Sequence, residues 1–254
     1  MLRAGQRHLE AVGVSVGLEA IRFDEVAREC EIPRASAYRA WDDGREGGQQ
    51  DALRLAIARS ALADQISFDS EEGTAFDATL EGLAPAFARL PDLHALTREE
   101  RRAWLDELVR VGGNTNQRVG AESALFPCYV ALAAGITSRQ MREDDPLWDA
   151  WRSGERSSRT RYVDLYQSAA DMFGMRLRSP FTWEQFGTIV ASLAEGLGIR
   201  APINPDGLDH IAFDTPHQTD DTGWSLLAIG LRAFVEVFFE PDESADETGT
   251  GEPH

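Results

Sequence analysis

A chain of 254 residues, 43% hydrophobic and 27% charged, has room for one small and one larger globular domain and can bury a core without disulfide or metal staples. Its net charge of −18 is unevenly spread: residues 1–60 hold nine Arg against ten acids, and the rest hold 16 Arg against 33, so the body repels nucleic acid while the N-terminal segment is nearly neutral. No charged-then-apolar pair opens the sequence, so a secretory signal is not expected; the longest apolar run, WSLLAIGLRAFVEVFF at 224–239, contains Arg232 and Glu236 and falls short of the ~20 residues a span requires, and a soluble, cytoplasmic protein with no membrane partner is expected.

Three-four spacing of apolar residues recurs along the chain and alternating runs are absent, so the expected fold is all-α, without strands. A first helix is predicted over 2–16, with Leu9, Val12 and Val16 on one face and Gly17 as its stop. Phe23, Val26, Ala27 and Cys30 then fall at i, i+3, i+4 and i+7, the stripe of a short surface helix. Glu31-Ile32-Pro33 interrupts that pattern, and Arg34 to Trp41 forms a second short helix with a different face. Two short helices joined by three residues predict a helix-turn-helix over 23–41. The polar, Gly-rich DDGREGGQQ at 42–50 predicts a mobile loop, and 51–63 a helix with Leu53, Ile57 and Ala61 inward. Residues 1–63 are expected to form the head, a three-helix helix-turn-helix unit followed by the helix over 51–63.

The body, 64–240, carries helices predicted at 75–89, 98–111, 122–140, 145–152, 158–175, 182–197 and 223–239. Thr97-Arg98-Glu99-Glu100 fits a capping box. Residues 199–223, with three Pro and several Asp, form a long excursion between two apolar helices. The acidic tail 241–254 lacks aromatics and is expected to be disordered. Cys30 and Cys128 are the two cysteines, and both fall in apolar helical patterns as small hydrophobes.

On the second short helix, RASAYRAW, Ala37 and Trp41 share a face that packs inward with Ile32. Arg34, Ala35, Ser36 and Arg39 lie outward, with Tyr38 at the edge. Arg suits a bidentate guanine contact, Ser a phosphate or base, Ala a close approach, and the Tyr hydroxyl a phosphate oxygen. The candidate DNA-binding residues are therefore Arg34, Ala35, Ser36, Tyr38 and Arg39. A structural helical hairpin that meets no DNA is the alternative.

FDEVARECEIPRASAYRAW, preceded by GLEAIR, resembles the DNA-binding signature of the TetR family of one-component transcriptional regulators, with Val26-Ala27, Ile32, Tyr38 and Trp41 at that family's spacing. About 60 residues carry the resemblance. It implies a tyrosine on phosphate at Tyr38, a packed aromatic at Trp41, a ligand pocket in the body and a pair of C-terminal helices that dimerise. The chain departs from the pattern at Glu31, where Gly is usual; at Pro33, where a Ser/Thr cap is usual; and at Asp42-Asp43, near a usual Lys. About six extra residues precede Leu53.

The body is rich in large aromatics: Trp104, Phe126, Tyr129, Trp148, Trp151, Tyr162, Tyr166 and Phe173. Each is ordinary core or, if the resemblance holds, a wall of the ligand pocket. Arg159, Arg161 and Asp164 lie beside this region, as ligand-binding groups or as a solvated face. Phe186, Ile189, Val190, Leu193, Leu227, Leu231, Phe234 and Phe238 make the last two helices apolar nearly all round, which needs more than one neighbour; a homodimer supplies it, and a monomeric core is the alternative.

His8, His94, His210, His217 and His254 are scattered, and no P-loop, dinucleotide fingerprint or Ser-His-Asp set occurs. Glu71-Glu72 and Glu143-Asp144-Asp145 read as solvated loop charge. No enzyme, cofactor or metal is expected. The function expected is a sequence-specific DNA-binding transcriptional regulator, a homodimeric repressor on a double-stranded operator, released by a small-molecule effector. The alternative is a helical dimer of the same kind that no longer binds DNA and acts through protein partners.

Overall fold

A computed structural model describes residues 22–41, 48–66, 75–123, 126, 129–130, 133, 146–213 and 215–242. The helix expected over 2–16, residues 42–47 of the expected loop, most of the helix expected over 122–140, Cys128 and the tail beyond 242 lie outside the described residues. The fold is mostly helical, as expected, and no helix among the described residues is long and apolar enough to cross a membrane. The chain divides into two compact units, residues 1–74 with 123–157 and residues 75–122 with 158–254, so the body expected over 64–240 is shared between them.

In the first unit, α1 (Phe23–Glu29) and α2 (Arg34–Ala40) pack with α3 (Gly48–Ile66). Phe23, Val26, Ala27, Ala37, Leu53 and Ile57 are its buried core, with Cys30, Ile32, Tyr38 and Trp41 against it. The end of α1 is a Schellman motif: the Ile32 N–H donates to the Ala27 carbonyl and the Glu31 N–H to the Arg28 carbonyl, both at 3.0 Å. That closure places Glu31 at φ 55°, in the left-handed region. The Pro33 carbonyl accepts the first bonds of α2, from Ser36 at 2.9 Å and Ala37 at 3.0 Å, so Pro33 is the N-cap residue rather than the first helical one. The Phe23 N–H donates to Gln50 Oε1 at 2.8 Å, fastening the start of α1 to α3.

In the second unit, α5 (Arg98–Glu122) packs on α4 (Ala75–Phe87), on α7 (Trp183–Arg200) and on α8 (Leu226–Phe238). The sequence predicts a helix end at 111, before Gly112-Gly113, yet α5 runs on to Glu122. The pair is a packing notch: a Cβ on Gly113 would lie 2.6 Å from Ala228 Cα and 2.8 Å from its nitrogen. Two helices predicted at 145–152 and 158–175 are one, α6 (Pro146–Met172). The expectation of no strands fails. Met175–Leu177 (β1) pairs antiparallel with Phe239–Pro241 (β2), Arg176 opposite Glu240; three-residue strands are too short to show alternation, and the pairing is set by tertiary packing of residues more than 60 positions apart.

The excursion after α7 is pinned to α5. Arg110 is 1% exposed and Glu107 fully buried. Arg110 donates to Glu107 at 2.8 and 3.0 Å and to both Asp220 carboxylate oxygens at 3.0 Å. Burial opposes the Arg110 charge, but hydrogen bonds to Glu107 and Asp220 outweigh it and hold the guanidinium above its ordinary pKa. The same guanidinium holds the Asp220 carboxyl down to about 2. The start of α8 is capped in part by α5: the Leu227 N–H donates to Gln117 Oε1 at 2.9 Å, the Ser225 N–H to Asn114 Oδ1 at 2.8 Å, and the Ala228 N–H to Ser225 Oγ at 3.2 Å. Orphan donors of the first turn are thereby satisfied in a buried setting.

Candidate functional site

The outward face of α2 follows from the packing of its other side. Ala37 is 1% exposed and Trp41 half-buried in the head core, which turns Arg34, Ala35, Ser36 and Arg39 to solvent. Tyr38 is half-buried, its ring edge-on to Phe23 at 4.8 Å. Arg34 pairs with Asp24 at 3.1 Å and reaches the Tyr38 hydroxyl at 3.5 Å; that hydroxyl contact and the Asp24 carboxylate raise the Arg34 pKa. The Arg34–Asp24 pair is solvated on both sides and weakly held. Arg39 donates through Nε to the Ala35 carbonyl at 3.3 Å. One short helix therefore presents two guanidiniums, a hydroxyl and a methyl group together.

A second candidate lies within the second unit, a cavity of about 130 Å³ among α4, α5, α7, α8 and the 158–172 part of α6. Its walls are mostly aliphatic and aromatic, and Gly112 and Gly113 contribute space rather than side chains. One end is polar. Asn116 Nδ2 donates to Tyr162 Oη at 2.9 Å and to Thr79 Oγ1 at 3.2 Å, and Thr79 donates to the Ala75 carbonyl at 2.6 Å. Burial pushes the Tyr162 phenol up to about 12 and raises that of Tyr166 further. Both therefore act as neutral hydroxyls at neutral pH.

Of the eight aromatics singled out in the sequence, Tyr162 and Tyr166 line this cavity. Trp104 is stacked on His217, rings 3.9 Å apart and 9° from parallel. Phe173 is buried in the cluster with Leu83 and Leu105. Phe126, Tyr129 and Trp151 form a stacked run in the first unit, with Tyr129 donating to Glu155 at 2.9 Å, and Trp148 is half-buried in that unit. Arg161 is tied to Asp77 at 3.2 Å and Arg159 to Glu184 at 3.0 Å, while Asp164 is exposed; none of the three lines the cavity. Sequence reading passed over Thr79, Asn116 and the Gly112-Gly113 notch. Asn116 and the two glycines share one signal, the small-and-polar stretch GGNTN inside an apolar helical pattern; Thr79 has none.

Of the residues expected at a dimer interface, Phe186, Val190, Leu227 and Phe238 are buried within a single chain. Phe186, Val190, Leu227 and Leu231 line the cavity. Helix α8 packs on α5 and α7, with Gly230 against Leu193, while Val237 stays 56% exposed. Ile189 remains 38% exposed, and Leu193, Leu231 and Phe234 are half-buried. Among the described residues no group of three metal-ligating side chains is assembled. No protein-family model matches the chain, and neither a curated protein nor a solved structure is found to match it.

Proposed function

We propose that the protein is a sequence-specific DNA-binding transcriptional regulator, a repressor whose helical body takes a small-molecule effector. The observation that carries the reading is the short helix α2, with Ala37 sunk in the head core and Arg34, Ala35, Ser36 and Arg39 turned outward together. In a major groove those side chains supply base-edge and phosphate contacts, with Tyr38 at the backbone. The Schellman closure at Glu31 supports the same reading, because it sets the sharp turn a helix-turn-helix requires. The cavity in the second unit is the effector site, its Asn116–Tyr162–Thr79 end orienting a polar group. Two chains present two α2 helices to a palindromic site, and effector binding favours a state in which they no longer fit it. The protein then works in the cytoplasm as a soluble homodimer.

The test is selection of bound fragments from a random DNA pool, followed by anisotropy of the winners across a salt series. A palindromic operator and a salt slope of several phosphates are expected. Arg39→Ala should weaken operator binding by about 1–3 kcal/mol, and more for the preferred sequence than for others; Tyr38→Phe should weaken all sequences alike. The second reading, a helical dimer that meets proteins rather than DNA, is favoured by the Arg34–Asp24 pair at 3.1 Å, which neutralises one reading residue. A well-folded protein that enriches no sequence would establish it over the first.

A further inference from the structure

Helix α5 sorts its side chains by charge around the 130 Å³ cavity. Leu105, Leu108, Val109, Gly112 and Asn116 line it, and Asp106, Glu107 and Arg110, interleaved with them, do not. Each of those charges is held by an opposite one: Asp106 by Arg102 at 3.1 Å and Arg232 at 3.0 Å, Glu107 by Arg110 at 2.8 Å. Arg161 on α6 and Asp77 on α4 likewise meet each other at 3.2 Å and stay out of the wall. In a chain that is 27% charged, none of the described residues lining the cavity carries a charge. An ion buried there meets no counter-charge, and its desolvation stands uncompensated.

The polar end is largely self-satisfied. Both hydrogens of the Asn116 amide are spent, on Tyr162 Oη at 2.9 Å and Thr79 Oγ1 at 3.2 Å, and the Thr79 hydroxyl donates to the Ala75 carbonyl at 2.6 Å. Tyr166 differs. It lines the cavity with its ring 6.1 Å from that of Tyr162 and edge-on to Phe186 at 5.3 Å. No described residue hydrogen-bonds its hydroxyl, and burial raises its pKa so that it keeps its proton. A phenol deprived of both water and a protein partner carries an unmet hydrogen bond that a ligand oxygen can make. Size sets the last limit: an apolar cavity of about 150 Å³ admits benzene, so this one takes a single ring and little more.

We infer that the ligand of this unit is an uncharged single-ring compound bearing one hydroxyl or carbonyl oxygen, and that Tyr166 is the residue that holds that oxygen. The phenol donates to a carbonyl or shares a bond with a hydroxyl in either direction, while the faces and edges of Tyr162, Tyr166 and Phe186 meet the ring. Anionic relatives of the same shape are rejected, because no described lining side chain can neutralise them. This names the effector class of the cavity and rests on the effector reading given above.

The experiment is isothermal calorimetry of the full chain, without DNA and near neutral pH, against three probes: benzyl alcohol, toluene and benzoate. Benzyl alcohol should bind at least about tenfold more tightly than benzoate, whose carboxylate would be buried unpaired. Tyr166→Phe should lower the affinity for benzyl alcohol by about fivefold, the worth of one hydrogen bond, without weakening toluene. Ala169→Leu, on the cavity wall, fills the space and should weaken benzyl alcohol and toluene alike. Circular dichroism and the thermal midpoint establish that each variant is folded, and Tyr166→Phe, which removes only a hydroxyl, decides the matter if Ala169→Leu is not. Benzoate bound as tightly as benzyl alcohol, benzyl alcohol unaffected or toluene equally weakened by Tyr166→Phe, or full binding in folded Ala169→Leu would each overturn the proposal. So would an operator-binding protein that ignores benzyl alcohol. Because no DNA enters the measurement, Tyr166-dependent binding by a protein that ignores DNA, or whose operator affinity benzyl alcohol leaves unchanged, upholds the ligand class and rejects only the effector reading.

Discussion

Gly113 illustrates how much one missing methyl group can carry. A Cβ there would meet the Ala228 backbone at 2.6–2.8 Å, and backbone yields less readily than the tip of a side chain. Gly113→Ala should therefore destabilise the protein by about 1–3 kcal/mol despite the better helix propensity of Ala; a urea midpoint equal to wild type would refute the notch. Glu31 is the opposite case. It holds φ 55° at the end of α1, a conformation that costs an L-residue about 1–2 kcal/mol and glycine little. Glu31→Gly should raise stability by up to about 1 kcal/mol, less the backbone entropy glycine gains when unfolded, and a lowered thermal midpoint would show that the Glu31 side chain contributes contacts of its own. Arg110 is committed to buried Glu107 at 2.8 Å. Arg110→Met should cost about 3–5 kcal/mol because it leaves the buried Glu107 carboxylate with only the longer Arg89 contact at 3.3 Å. Adding Glu107→Leu should restore much of that loss, and a double variant no better than the single would assign the cost to packing instead.

At the scale of elements, the sequence was most legible where apolar residues fall at helical spacing and a chemical signal marks the end. The α1–turn–α2 segment over 23–41 was read from Phe23, Val26, Ala27 and Cys30 and from the Glu31-Ile32-Pro33 break, and α7 was read to within three residues of each end. The capping box at Thr97 and Glu100 likewise forms: the Thr97 N–H donates to the Glu100 carboxylate at 2.8 Å and the Glu100 N–H to Thr97 Oγ1 at 3.3 Å. Legibility failed where a tertiary partner overrides a local preference. Gly112-Gly113 reads as a stop in isolation but serves as a seat for α8. Arg110 and Asp220 are 110 positions apart, and nothing local announces that they meet. The cavity was the least legible part, since its polar end draws Thr79, Asn116 and Tyr162 from three helices. Ser225, which accepts from the Ala228 N–H at 3.2 Å and is fully buried, gives the element-scale test. Ser225→Ala should cost about 1–2 kcal/mol in chemical denaturation, and a change under a few tenths would transfer the capping role to Asn114 and Gln117.

For the molecule as a whole, the absence of lysine simplifies its response to alkali. All 25 basic side chains are arginine, and with four Tyr and two Cys the phenols dominate the side-chain protons released above about pH 10. Tyr162 holds its proton up to about 12 in the folded state, against an ordinary value of 10.0. A raised folded value favours the native state below the unfolded pKa, and that contribution is lost as pH climbs from the lower value to the higher. The urea midpoint should fall between about pH 10 and about pH 12, with a smaller fall in Tyr162→Phe; a flat profile would mean the phenol is better solvated than its burial implies. The order in which the chain is made adds a different consequence. Helix α8 and strand β2 complete the second unit, and their partners on α5 and β1 are synthesised more than 60 residues earlier. Until residue 238 has left the ribosome, the faces of α5 and α7 that α8 will cover stand open to water, a long-range closure that is intrinsically slow. Ribosomes stalled within the last turn of α8 would hold a chain whose 130 Å³ cavity lacks a wall.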